Sequence, residues 1–589
     1  MRAVMLMFDS LNRHMVPPFV DDVPPLPGFR RLAERTVAFG NFYAGSMPCM
    51  PARRELHTGR HNFLHRSWGP LEPFDDSVPA MLGANGIHTH LVSDHLHYWE
   101  DGGATYHTRY STWEFFRGQE GDPWKGVVGR GDVRLPAPLR ARMQDAVNRE
   151  HMSTEETHSQ TRTVDAGLEF IRTNAEADDW MLQIELFDPH EPFFAAERFR
   201  QARGLDSEAS FDWPAYRRVL EDDGDVDKAR GEYLALLDMC DHSVGRVLDA
   251  MDEHGLWDDT MLIVNTDHGF LLGEHGWWAK SMQPWFNELV HLPMYLWDPR
   301  SGRRGIRDDR LAQTIDIPTT LLDFFGVERT DDMTGIPLAG DADAAHEGAL
   351  FGIHGGHVNV TDGRHVYMRA ADSPANSPLE EFTLMPTHMR ARFSVGELAS
   401  WEPAEPFTFT KGLRTMRMAS TAMWLNSWQH GTMLFDLSTD PEQLQPIADD
   451  TVELRMAQLL VELMHRSDAP AGQFTRLGLP AEGDVGPEHL RAGAHRERAL
   501  RTGEPIPRRH ELRAAELLSR PLGQLLADAQ LGAVVARHAP DVVNTEMVGL
   551  PRGADLLSMA ARAAIDAQTL RALEAELAGV IAGRVSAAT

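Results

Sequence analysis

Four short apolar runs punctuate the first half of the chain, and each ends abruptly in polar residues able to do chemistry. Ala3 to Phe8 ends at Asp9, and Gly86 to Val92 leads to Asp94, His95 and His97. Trp180 to Phe187 leads to Asp188-Pro189-His190, and Met261 to Val264 ends at Asn265-Thr266-Asp267-His268. Short continuous apolar runs bounded by breakers predict strands buried on both faces of a parallel sheet. Between them the spacing is helical, most clearly from Arg230 to His254, where Leu234, Leu237, Val244, Val247, Leu248 and Met251 share a face. Strands alternating with helices imply an open α/β sheet, whose ligands bind beyond the carboxyl ends of the strands. All four polar clusters fall there, which predicts one site.

The pattern changes along the chain. A helix is expected over Ala52 to Gly59, with Gly59 as its stop, which sets Cys49 at a helix N-terminus where free N–H groups favour anions. The α/β pattern ends around Gly335-Ile336-Pro337-Leu338, giving an α/β domain over residues 1–345. Strand-like pieces (Val358 to Val360, His365 to Met368, Thr432 to Phe435) and a helix, Val452 to His465, then predict a small antiparallel-sheet subdomain over 346–466. Residues 467–510 are rich in Pro, Gly and Arg and read as a linker. Residues 511–589 carry a helical Ala/Leu pattern, including Leu517, Leu525, Val534, Leu570 and Leu577, and no chemistry. This helical extension reads as an assembly module, so a homo-oligomer is expected.

Composition narrows the function classes. The 589 residues carry 87 acidic and 57 basic side chains, a net charge of −30, which argues against nucleic acid and anionic membranes as partners. No window approaches the ~20 apolar residues of a membrane span. The N-terminus has no charged, apolar and cleavage-site succession, so a cytoplasmic protein is expected. With two cysteines, Cys49 and Cys240, there is no disulfide framework. Cys240 falls within the long helical pattern and reads as inert core.

Cys49 is different. It opens Cys49-Met50-Pro51-Ala52-Arg53, followed by Thr58-Gly59-Arg60. Further on stand Asn265-Thr266-Asp267-His268-Gly269, Gly273-Glu274-His275-Gly276 and a lysine, Lys280, thirteen residues past Asp267. Pro189-His190-Glu191-Pro192-Phe193 and Leu434-Phe435-Asp436-Leu437-Ser438-Thr439-Asp440-Pro441-Glu442 complete the set. Taken singly, these are capping aspartates, surface histidines and a buried thiol. Together, over about residues 1 to 465, they resemble the sulfatase family of the alkaline-phosphatase superfamily, with Ala52 where the family usually has serine.

The resemblance implies an alkaline-phosphatase-like α/β sandwich: a large, mostly parallel sheet flanked by helices and a smaller C-terminal antiparallel sheet. It also implies that a formylglycine-generating enzyme oxidises Cys49 to an aldehyde, whose hydrate attacks sulfur or phosphorus and passes through a covalent intermediate. Asp9, Asp267, His268 and residue 49 are the implied ligands of one divalent metal. Arg53 and Lys280 would steady anionic charge, His190 would protonate the leaving alcohol, and His97 would act as base. Asp-His in place of Asp-Asn moves the metal preference toward Mn²⁺ or Zn²⁺ beside Ca²⁺. Two departures stand out: Ser10 follows Asp9 where many sulfatases have a second aspartate, so Ser10 or Asn12 is a candidate replacement ligand. Asp94 occupies the place of the family's sulfate-gripping lysine, and is expected to face a histidine or a cationic part of the substrate. The substrate implied is a small sulfate ester. A phosphonate monoester or phosphodiester is the alternative, and a non-catalytic anion-binding protein the third reading. The aromatic stretch Tyr98 to Trp124 reads either as a packed insert or as one wall of the substrate pocket.

Overall fold

The four apolar runs become four adjacent parallel strands. In this computed structural model, which describes residues 1–20, 25–129, 137–205, 210–339, 344–540, 555–562 and 565–588, the main sheet has eight strands. Their order is Ile306–Gln313, Val37–Tyr43, Tyr295–Trp297, Thr260–Thr266, Arg2–Phe8, Trp180–Leu186, His88–Ser93 and Thr112–Phe115. Only Tyr295–Trp297 runs antiparallel to its neighbours. Strand Arg2–Phe8 is buried throughout. Ala3, Met5 and Met7 join the core on one face of the sheet, and Val4, Leu6 and Phe8 the core on the other. That two-sided burial explains why the runs are continuously apolar rather than alternating.

Register brings the polar ends together. Phe8 pairs with Leu186 on one side and with Thr266 on the other, and Ser93 pairs with Glu185. Asp9, Asp267, Phe187 and Asp94 therefore leave the sheet at one edge. Helix Cys49–Thr58 forms as expected, three residues longer at its start, and ends on Gly59 in the left-handed conformation (φ 60°), which glycine adopts without strain. The long helix spans Asp223–Glu253.

A second sheet orders Met433–Asp436, His365–Arg369, Val358–Thr361, Ala349–Ile353 and Ser46–Met47. It is antiparallel except at Ser46–Met47, which lies parallel to Ala349–Ile353. The segment entering Cys49 thus fastens the two sheets together. Helix Asp450–Arg466 covers this sheet.

Residues 467–510 are not a linker. Helices Ala471–Leu477 and Ala492–Gly503 form there, and Phe474, Leu477, Leu479, Val485 and Ala492 join the core of the smaller sheet. The composition misled because Pro470 and Gly478 are helix caps, and because buried Arg476 bonds to Gly356 O, Asn376 Oδ1 and Gln473 Oε1 instead of solvent. Beyond 511, helices Ala515–Leu518, Leu522–Ala527, Ala529–His538, Leu556–Ala561 and Ala567–Ala588 enclose their own core, which Leu220 joins from the main domain. Among the described residues the extension's apolar positions are covered from within the chain; 541–554 and 563–564 lie outside the described residues. Among the described residues, no helix is long and apolar enough to cross a membrane.

Candidate active site

At the sheet edge, six side chains meet with none more than 2% exposed: Asp9, Cys49, Arg53, Asp267, His268 and Lys280. Cys49 Sγ lies 3.3 Å from His268 Nε2 and 3.9 Å from Asp9 Oδ1. His268 Nε2 is 3.4 Å from Asp267 Oδ2. Its Nδ1 donates to Gly269 O at 3.0 Å, which leaves Nε2 as a lone pair facing the two carboxylates. Gly269 is required here, because a Cβ would stand 1.9 Å from Glu288 O and 2.8 Å from Asn12 Oδ1.

Arg53, one helical turn past Cys49, organises the carboxylates. Its Nη1 donates to Asp267 Oδ2 at 2.8 Å and to Cys49 O at 2.9 Å, and its Nη2 donates to Asp9 Oδ2 at 3.1 Å. Its Nε donates to Glu185 Oε1 at 2.7 Å. Glu185 is held in turn by Tyr98 Oη at 2.7 Å and Gln183 Nε2 at 3.1 Å. Lys280 Nζ donates to Ser10 Oγ at 3.0 Å and lies 3.6 Å from Asp9 Oδ1.

The charges are mutually sustained. Burial opposes ionisation of Asp9, but Lys280 above all, with His190, His95 and Arg53, holds it well below the usual carboxylate range. Burial and neighbouring Asp9 push Asp267 up to about 7. Lys280 stays charged against the effect of burial, because Cys49, Asp9, Glu191 and Asp267 surround it.

The donor set fits a metal. One ligand atom from each of Asp9, Cys49, Asp267 and His268 lies within 4.8 Å of the others. Two carboxylates, an imidazole with its second nitrogen already hydrogen-bonded, and residue 49 suit a borderline to hard divalent cation. Both candidate replacement ligands already carry hydrogen bonds. Asn12 is engaged with Phe270, accepting its N–H at 2.7 Å and donating to its carbonyl at 2.9 Å. Ser10 Oγ donates to Asp9 Oδ1 at 2.9 Å and accepts from Lys280.

The histidines divide differently from expectation. His95, not His97, contacts the cluster, with Nε2 3.3 Å from Asp9 Oδ2. Its Nδ1 accepts the His97 N–H at 3.3 Å, so Nε2 carries the proton toward Asp9. His97 lies a step outward, with Nδ1 2.9 Å from Glu100 Oε2 and its ring edge-on to Trp68 at 4.6 Å. His190 directs Nδ1 at Glu191, bonding its carbonyl and lying 3.1 Å from its Oε2, while Glu191 Oε1 accepts from Tyr216 Oη at 2.6 Å. Burial keeps the His190 imidazole well below its usual range.

Asp94 points away from the cluster, toward neither a histidine nor a cation. Its Oδ1 accepts the Phe187 N–H at 2.7 Å, and Gln119 Nε2 bridges its Oδ2 and Asp188 Oδ1, each at 3.2 Å. The stretch 98–124 is in part a packed support: Tyr98 holds Glu185, Tyr110 Oη donates to Gln183 Oε1 at 2.6 Å, and Gln119 holds Asp94. Trp99 and Trp113 are exposed. Cys240 is buried in the long helix, as expected.

Glu185 is the functional residue least visible beforehand. Its signal was local: Gln183 and Glu185, two residues apart, point to one face of a strand otherwise made of Trp, Met, Leu and Ile. Two polar side chains on one face of a central buried strand need partners, and Arg53, Tyr98 and Tyr110 supply them.

The sulfatase family model matches residues 3–327. The chain belongs to the sulfatase family. Its members are sulfuric ester hydrolases, and the fold agrees. This sulfatase chain is 21% identical to an arylsulfatase of Clostridium perfringens (strain 13 / Type A) over 408 residues, spanning 63% of this chain and 84% of that one. A solved structure in complex with its substrate D-glucosamine-2-N,6-O-disulfate superposes with TM-score 0.56 at 14% identity, covering 80% of this chain and 99% of that one. The phosphonate monoester hydrolase of Agrobacterium radiobacter superposes with TM-score 0.53 at 18% identity, covering 79% and 96%.

Proposed function

We propose that the site hydrolyses sulfate monoesters using a formylglycine made from Cys49, with one divalent cation (Mn²⁺, Ca²⁺ or Zn²⁺) on Asp9, Asp267, His268 and residue 49. The chemistry is carried by residues 1–345. The observation that supports this most is the approach of Cys49 Sγ to His268 Nε2 (3.3 Å) and Asp9 Oδ1 (3.9 Å) inside a closed ring of ligand atoms. A divalent cation there would acidify an oxygen on residue 49 and offset charge on the transferred group.

The chain's own residues have separable tasks. Arg53 holds Asp9 and Asp267 in fixed register and leaves no carboxylate rotamer free to swing. Lys280 keeps its proton and meets the anionic group. The leaving oxygen is protonated by His190 together with Lys280: with Nδ1–H committed to Glu191, His190 donates from Nε2 only as the imidazolium, whereas Lys280 already carries its proton. The proton lost on release goes to His97, whose Nδ1 lies 2.9 Å from Glu100 Oε2, while His95 stays bonded to Asp9 through Nε2 and to the His97 N–H through Nδ1.

A second reading is a phosphonate monoester or phosphodiester hydrolase on the same residues; Asp94 standing where the family has a lysine removes one contact expected to grip a sulfate oxygen, and all three ester classes are monoanions, so charge alone does not separate them. Two measurements decide. Peptide mass spectrometry should find an aldehyde in place of the Cys49 thiol; an unmodified thiol throughout active protein refutes the nucleophile. Paired sulfate, phosphonate and phosphodiester nitrophenyl esters should give the highest kcat/KM for sulfate, and the reverse order establishes the second reading.

A further inference from the structure

Lys280 is carried on strained backbone. Ala279 and Ser281 on either side of it have φ of 66° and 78°, and Ser10, which accepts its hydrogen bond, has φ 68°. Such conformations cost roughly 1–3 kcal/mol each and persist only where the surroundings impose them. Ala279 is paired with Leu271 and its carbonyl accepts from Gln283 Nε2 at 2.9 Å, and the segment just before it, 276–278, is braced by a strip of chain at residues 215–221. Val219 N–H donates to Gly276 O and Trp278 N–H donates to Arg217 O, each at 2.9 Å, so that Arg218 lies opposite Trp277 in a short antiparallel bridge. Trp278 Nε1 donates to Glu221 Oε2 at 2.8 Å. The same strip carries Tyr216, whose hydroxyl holds Glu191 and through it His190.

The outer edge of that strip is held by the C-terminal part of the chain. Arg218 is 4% exposed. Its N–H donates to Ala561 O at 2.7 Å, its Nη1 to Glu504 O at 2.8 Å and its Nη2 to Arg501 O at 3.0 Å. The guanidinium lies 5.1 Å over the Trp277 ring, whose Nε1 donates to Thr502 O at 3.0 Å. We propose that Arg218 is a positioning residue that clamps the loops of Lys280 and His190 to helix Ala492–Gly503 and the C-terminal helical module. The extension then serves the active site of its own chain, and not only assembly.

The test combines kinetics with amide hydrogen exchange on the full-length protein. Arg218→Met keeps the bulk and removes the guanidinium bonds. We expect kcat for the best nitrophenyl ester to fall about tenfold or more with KM within about twofold, the signature of a misplaced group rather than lost substrate contact. Exchange of peptides covering 276–281 and 190–192 should accelerate about tenfold, with helix Asp223–Glu253 unchanged. Trp277→Phe, which loses the bond to Thr502 and part of the ring face under Arg218, should shift both readouts in the same direction by less, and it carries the test if Arg218→Met does not fold. Unchanged exchange over 276–281 in the folded variant, or faster exchange with full kcat, overturns the proposal. The kinetic readout rests on the ester hydrolase reading above. Were the wild type inactive on every ester, that reading would fail and exchange over 276–281 would still decide the clamp.

Discussion

Two groups of buried carboxylates leave the same sheet edge and are held by different partners. Asp9 and Asp267 face Arg53 and Lys280; Asp9 is ionised despite complete burial, while burial and Asp9 push Asp267 up to about 7, so the cations secure one firm charge on the pair. Asp94 and Asp188, beyond neighbouring strands, are met by the Gln119 amide, and Asp94 also by the Phe187 N–H and the Ser159 hydroxyl, none of them a cation. Burial pushes Asp94 up to about 6, and burial plus Asp94 raises Asp188 well above its usual value. With no cation beside them, neither Asp94 nor Asp188 is drawn below its usual range as Asp9 is, and both fasten loops instead of facing a ligand site. Residue type and position at a strand end are therefore insufficient to identify chemistry; the buried cation beside the carboxylate is the deciding feature.

The comparison breaks most visibly if the charged group is disarmed. Cys49→Ala should lower kcat by about 10³-fold or more while leaving the denaturation midpoint nearly unchanged, since it removes the nucleophile and one buried sulfur. Exhaustive chelation should abolish turnover and lower the melting temperature, with both restored by a divalent cation; binding at a hundred times Kd is worth about 2.7 kcal/mol of stability. Activity that survives chelation with no stoichiometric metal by elemental analysis would show that Asp9, Asp267 and His268 form a purely structural cluster. Arg53→Met strands three buried carboxylates, Asp9, Asp267 and Glu185. It should destabilise the fold by about 3–5 kcal/mol in chemical denaturation, besides reducing kcat. A loss under 1 kcal/mol would mean the carboxylates find other partners.

Much of this contrast was legible in the residues. The apolar runs ending in Asp9, Asp94, His190 and Asp267 placed four loops at one edge, because continuous apolar runs of strand length have few other solutions in an α/β chain. The Cys49 to Arg53 and Asp267 to Lys280 spacings carried the cluster itself. Tertiary partners were not legible. Glu185 and Tyr98 meet Arg53 only because strands far apart in sequence are neighbours in space. His95 and His97 are two residues apart, and only the short turn after Ser93 decides which ring reaches Asp9. Residues 467–510 looked like a linker because proline, glycine and arginine describe caps and buried carbonyl contacts as well as they describe solvated loops.

The smallest effect, and the sharpest on the comparison, belongs to Asp94→Asn. A neutral amide keeps an acceptor for the Phe187 N–H and needs only a flip of Gln119 to keep the bridge. We expect kcat within about threefold of wild type, below 1 kcal/mol on the barrier. The pH dependence of stability should change instead. Asp94 has a folded pKa raised to about 6 from 3.8, so it contributes stability that is fully present below 3.8 and lost as pH rises through about 6. Relative to wild type, Asp94→Asn should therefore gain on the order of 1–3 kcal/mol between pH 4 and pH 7, measured by urea denaturation across that range. Asp94→Leu, which also strands the Phe187 N–H, should lie about 1–3 kcal/mol below Asp94→Asn at every pH. If Asp94→Asn instead lowers kcat tenfold or more with a flat stability difference, Asp94 is ionised and works on the neighbouring histidines. The two carboxylate groups would then differ in degree rather than in kind.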